Sequence, residues 1–100
     1  MNEVHIVVAG NYDSFCMIRA FADNSKACQL ARECNEYQKL VPLYEPNGVE
    51  AEQYDAWFKV FDQDIEKWQE SHPIAQFGEY FYIDSSPYCQ YSVQTVTVEL

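Results

Sequence analysis

Basic residues are scarce in this chain. Six Lys and Arg stand against sixteen Asp and Glu in 100 residues, a formal charge of −10. That deficit disfavours nucleic acid and anionic membrane as direct partners. It favours basic proteins, or basic grooves that otherwise hold nucleic acid. Metal-ligand spacing is missing too. The two histidines, His5 and His72, and the four cysteines, Cys16, Cys28, Cys34 and Cys89, form no C-x-x-C or similar pattern. The opening MNE has no basic character and the apolar run after it is short, so it does not read as a signal peptide. No run approaches the length of a membrane span. The thiols are therefore expected to be free and mostly buried, in a reducing cytoplasm. P-loop, G-x-G-x-x-G and G-x-S-x-G patterns are all lacking.

What the chain has is aromatic surface and one long helix. Aromatics make up 16% of the residues, and eight of them are Tyr, whose polar tips suit a half-wet surface or an interface. From Glu50 to His72 no Gly or Pro intervenes, and Pro73 ends the run. Within it Tyr54, Phe58, Phe61, Ile65 and Trp68 recur at helical spacing, a stripe that predicts a core-facing helix side. Glu52, Asp55, Lys59, Asp62, Glu66 and Glu70 fall on one flank of the same helix. Its neighbouring members rise by roughly 4.5–6 Å, a pitch and sign similar to one strand of a nucleic-acid backbone. A solvated face explains such a row most simply. Like charges at i,i+4, such as Asp62 and Glu66, nevertheless repel, and only Asp55–Lys59 offers an i,i+4 ion pair.

The remaining segments give the fold class. Glu3 to Ala9 and Ser14 to Phe21 read as two strands of a hairpin around the Gly10-Asn11-Tyr12-Asp13 turn. Phe15, Met17 and Phe21 alternate with Cys16, Ile18 and Ala20 in the second strand. Asp23-Asn24-Ser25 carries helix-starting chemistry. A helix follows from about Lys26 to Leu40, with Ala27, Leu30, Ala31, Cys34 and Tyr37 on its core face. Pro42, Pro46, Asn47 and Gly48 mark a loop into the long helix. Glu79 to Asp84 reads as a third strand and Cys89 to Leu100 as a fourth, with a bulge near Gln94-Thr95. The expectation is one α+β domain over residues 1–100. Its mainly antiparallel four-stranded sheet has ββααββ order and is covered by two helices, the second long and acidic.

Catalytic chemistry finds little support. His5, in a buried strand, reads as a satisfied structural residue. His72 sits at a helix end, where a cation complements the dipole. Asp62, Asp64 and Glu66 suggest a cation site, but residues i and i+2 of a helix point apart. No catalytic residue, metal site or cofactor is expected. The first reading is a protein-binding surface made of Glu52, Asp55, Asp62, Glu66 and Glu70, with Trp57 and Tyr82 as aromatic anchors. It is directed at a basic host protein or ribonucleoprotein by a monomer or homodimer, without direct contact to nucleic acid or membrane. A second reading is a nucleotide-signal binder lined by Tyr80, Tyr82, Tyr88 and Tyr91, which would need Arg19, Arg32 or Lys39 for charge. A third is an accessory protein with no inhibitory role.

Three stretches carry a resemblance. VHIVVAGNYDS, IRAFADNS with Lys26-Ala27, and the closing YSVQTVTVEL resemble a recurring class of small acidic bacteriophage proteins. In that class a strand, a G-x-Y-[SD] turn and a second strand precede a capped helix. The resemblance implies a phage product made in the bacterial cytoplasm, of the kind that inhibits host defence (an anti-CRISPR or anti-restriction protein) by occupying a nucleic-acid groove. It implies no catalytic residue.

Overall fold

A computed structural model of the chain describes residues 2–11, 15–78 and 83–99. In chain order these form β1 (Asn2–Gly10), β2 (Phe15–Phe21), α1 (Asn24–Gln38), a 3-10 turn (Ala51–Gln53), α2 (Tyr54–Glu70), a second 3-10 segment (Pro73–Phe77) and β3 (Gln90–Val98). The class is α+β. Among the described residues the sheet has three antiparallel strands in the order β2-β1-β3. The expected strand at Glu79–Asp84 falls mostly on 79–82, outside the described residues, and Ile83 and Asp84 are not in a strand.

β1 is central because it is apolar in both phases. Val7 and Val8 are both buried although they point to opposite faces, which suits only an inner strand. Its register with β3 runs without interruption from Asn2↔Val98 to Gly10↔Gln90, so the bulge expected near Gln94-Thr95 does not occur there. The irregularity lies in β2 instead. Val7 opposes Arg19 while Val8 opposes Met17, leaving Ile18 as the extra residue. One inserted residue reverses the phase of the strand beyond it. Strict alternation would have set Ile18 outward with Ala20. The bulge turns Ile18 into the core and sends Met17 and Phe15 to the open side, 69% and 61% exposed.

The core forms between one face of the sheet and α1. Ala27, Leu30, Ala31 and Cys34 pack with Val7, Ala9 and Tyr91, and Val41, Ile74, Ile83 and Cys89 close the ends. Asp23 caps α1, its carboxylate accepting from the Ser25 amide at 2.8 Å. The segment from Ile83 to Cys89 has no regular structure, so its backbone needs other partners. Side-chain amides supply them. Gln38 donates through Nε2 to the carbonyls of Asp84 (2.7 Å) and Ser86 (3.0 Å), and Gln69 donates to that of Ile83 (2.9 Å). Asn35 both donates to and accepts from the backbone of Tyr91, at 2.8 Å each way.

The two-helix cover does not form. α1 alone lies on the sheet, and α2 meets the rest of the molecule through its last turns. Of its aromatic stripe only Trp68 is buried, with Ile65 half-buried against the core. Trp68 stacks on Tyr37 at 5.4 Å and 16°. The Tyr37 hydroxyl donates to the Trp68 carbonyl (2.8 Å) and the indole N–H to the Tyr37 carbonyl (3.3 Å). The first two-thirds of α2 projects from this pin as an arm. The molecule is consequently 62 Å long but only 25 by 20 Å across, with a radius of gyration of 16.8 Å. A compact chain of this length would have about 13 Å.

Candidate binding arm

The arm has two walls. The loop from Val41 folds back along α2 and brings Tyr44 onto three rings: Trp57 at 5.4 Å, Phe58 at 5.6 Å and Phe61 at 5.7 Å. Trp57 and Phe61, one helical turn apart, stack at 5.3 Å and 7°, and Tyr54 closes on Phe58 at 5.0 Å. The Tyr44 and Tyr54 hydroxyls lie 3.4 Å apart, and this hydrogen bond, with some burial, raises the Tyr44 phenol above its ordinary pKa. Tyr54, Trp57, Phe58 and Phe61 are thus half-buried by one another and by Tyr44, not by the sheet. The stripe expected to be core is instead a satellite aromatic cluster. The periodicity located the apolar face correctly, but periodicity carries no information about what covers it.

The acidic flank lies beside that cluster. Glu52, Asp55, Asp62, Glu66 and Glu70 are all exposed. The Asp55–Lys59 pair does not close. Among the described residues the ion pair within 4.0 Å is Lys39–Glu36 on α1, at 3.0 Å. Trp57 is half-buried in the aromatic cluster; at about 100° per residue it stands roughly 140–180° around α2 from these carboxylates. Tyr82 lies outside the described residues. Asp62, Asp64 and Glu66 do not converge; among the described residues no three His, Cys, Asp or Glu side chains gather as a metal site would require.

The residues proposed for a nucleotide pocket are dispersed. Tyr80 and Tyr82 lie outside the described residues. Tyr91 borders a cleft of about 310 Å³ with Asn35, Gln38 and Lys39, while Tyr88 borders a separate one beside Gly10 and Asn11. Arg19 lies over the Phe77 ring at 4.3 Å, and Arg32 lines a third depression near Tyr37. The four thiols are free. Cys34 and Cys89 are buried, and burial pushes the Cys34 thiol up to about 12 and raises Cys89 as well. Cys16 and Cys28 are exposed.

His5 and His72 are both buried and both hydrogen-bonded. His5 Nδ1 is 2.9 Å from the Thr95 hydroxyl. His72 does not act as a cation at the end of α2. It is 2% exposed, and burial lowers its pKa to about 4. Its Nδ1 accepts from the Ile74 amide at 3.3 Å, so the ring proton sits on Nε2, facing Gln38 Oε1 at 3.2 Å and the Tyr91 hydroxyl at 3.4 Å. The folded state therefore prefers neutral His72, whereas the unfolded chain protonates it near 6.5. Its contribution to stability is complete above pH 6.5, shrinks as the pH falls, and is lost through about pH 4. In urea denaturation the stability advantage of wild type over His72→Gln should fall by about 3 kcal/mol across that window. A pH-independent difference would mean that His72 protonates freely in the fold.

No family model, no curated protein and no solved structure matches this chain. Among the described residues no helix is long and apolar enough to cross a membrane.

Proposed function

We propose that this chain is a phage-type inhibitor of a bacterial defence complex, of the anti-CRISPR or anti-restriction kind. It acts in the bacterial cytoplasm without a reaction of its own. The flank of α2 enters a basic groove that otherwise holds nucleic acid, and Trp57 and Tyr44 anchor it at the groove's edge. One observation supports this reading above the others. Four carboxylates of α2 (Asp55, Asp62, Glu66 and Glu70) and Glu52 of the preceding 3-10 turn are all exposed along one flank, with no cation of the described residues within 4.0 Å of them. A helix that buries little against its own chain gains little from tertiary packing. Like charges spaced a turn apart weaken it further. A basic groove relieves both defects, since it covers the aromatic cluster and neutralises the row.

The test uses purified CRISPR effectors and restriction endonucleases in DNA-cleavage assays with this protein added. Inhibition of at least one is expected, weakening as DNA or salt is raised. Replacing Asp62 and Glu66 by Lys should lower the affinity by roughly 100-fold or more while leaving the circular dichroism spectrum unchanged. Inhibition that survives the double reversal, or that ignores salt, would remove the acidic row from the mechanism. A panel left wholly uninhibited would end the defence-inhibitor reading.

A further inference from the structure

The sheet has a second face, and α1 covers only the first. Val4, Ile6 and Val8 of β1, Phe15 and Met17 of β2 and Val96 of β3 lie on the uncovered side by their pairing. Val8, at its centre, is buried, while Phe15, Met17 and Val96 stand in solvent, Val96 at 45% exposure. No Asp, Glu, Lys or Arg occupies any position of this face. In a chain whose net charge is −10, so extended an uncharged surface stands apart from the rest. We propose that it is the interface of a homodimer in which two sheets pack face to face.

Three features favour a second copy over another occupant. First, the face offers no charge to recognise a charged partner. It does let two strongly acidic chains meet without bringing carboxylates together, since the acidic arm belongs to α2. Second, the size fits a weak, reversible dimer. Strands of seven to nine residues at ~3.3 Å per residue and ~4.8 Å apart give a footprint of roughly 30 by 14 Å. Two copies together would cover about 800 Å², the scale of a small, transient interface. Third, the face is self-complementary. A two-fold axis along β1 lays β2 of one copy over β3 of the other. The register sets Met17 level with Val8 and Ser92, and Phe15 level with Gly10 and Gln90. Each bulky side chain that the β2 bulge turns outward thus meets a smaller or more pliant one on its partner's β3. The dimer would carry two acidic arms on one scaffold, which raises avidity for any target with two basic grooves in reach.

Sedimentation equilibrium of the full chain tests the proposal. Wild type should give twice 11.7 kDa and associate more tightly as salt screens the repulsion between its acidic copies. That response is opposite in sign to the salt dependence of arm binding, so the two readings fail separately. Met17→Lys and, independently, Val96→Lys should each return the mass to 11.7 kDa with the thermal transition retained, because both side chains are exposed in the single chain. Val60→Lys, on the arm and 58% exposed, should leave the dimer intact. A monomeric wild type at the highest soluble concentration would overturn the proposal. So would a dimer that survives both sheet substitutions, or one that dissociates with Val60→Lys.

Discussion

Replacing Trp68 by Ala should cost about 3–5 kcal/mol, the usual toll for deleting a buried indole and leaving its cavity. Trp68 is the only buried residue of α2. It couples the helix to α1 three ways, through the stack on Tyr37 and the two hydrogen bonds that link Tyr37 and Trp68, one of which uses only the Trp68 backbone. Its loss removes the pin as well as the packing, so near-ultraviolet dichroism from the aromatic residues should change more than far-ultraviolet helicity. Trp68→Phe keeps a ring against Tyr37 and gives up the indole N–H bond, for a loss of about 1–1.5 kcal/mol. Phe58→Ala, in the same stripe nearly three turns earlier, should cost only about 1 kcal/mol, the scale of an aromatic pair in a half-wet cluster. Urea titrations of the three variants decide the matter. Equal penalties for Trp68→Ala and Phe58→Ala would show the whole stripe to be core, and α2 would no longer be an arm.

That contrast also marks how far the sequence could be read. Local features were legible because local physics sets them. The strand of β1, the cap at Asp23, the core face of α1 and the end of α2 before Pro73 all lie where their residues place them. The position of the bulge was not legible. Both phases of β2 carry apolar side chains, so its sequence fits a regular strand as well as an interrupted one, and only the demand for Ile18 in the core decides. The role of α2's stripe was illegible for a different reason. Amphipathic spacing reports that a helix has an apolar side, and a loop that supplies Tyr44 can satisfy that side as readily as a sheet can. The carboxylates of the candidate site were visible from their spacing, and their exposure agrees with a helix flank turned to water. The amides of Asn35, Gln38 and Gln69 were overlooked. Their only signal is a polar side chain beside an otherwise apolar helix face, and Gln38, one position past Tyr37, carries it. The irregular stretch from Ile83 to Cys89 is the reason such residues are needed at all.

Gln38→Leu should therefore be among the most damaging substitutions in the chain, at about 3 kcal/mol or more. Leucine fills a similar volume, so the loss reports hydrogen bonding rather than a cavity. The carbonyls of Asp84 and Ser86 lose a donor at 2.7 and 3.0 Å, and His72 Nε2 loses its acceptor at 3.2 Å. Each buried polar group left without its partner costs about 1–3 kcal/mol, and the three share one site, so the terms do not simply add. Gln38→Glu separates geometry from charge. A carboxylate has no donor for the two carbonyls, so this variant is also destabilised above pH 6.5, where His72 is neutral. Its negative charge would raise the folded-state pKa of His72 and favour the protonated ring. As the pH falls toward 5 the deficit of Gln38→Glu relative to wild type should narrow, while that of Gln38→Leu should not. Chemical denaturation of the three proteins at two pH values measures this directly. A Gln38→Leu protein as stable as wild type would show that the amide does not hold the 83–86 segment. Parallel pH responses in the two variants would show that His72 and residue 38 are not coupled.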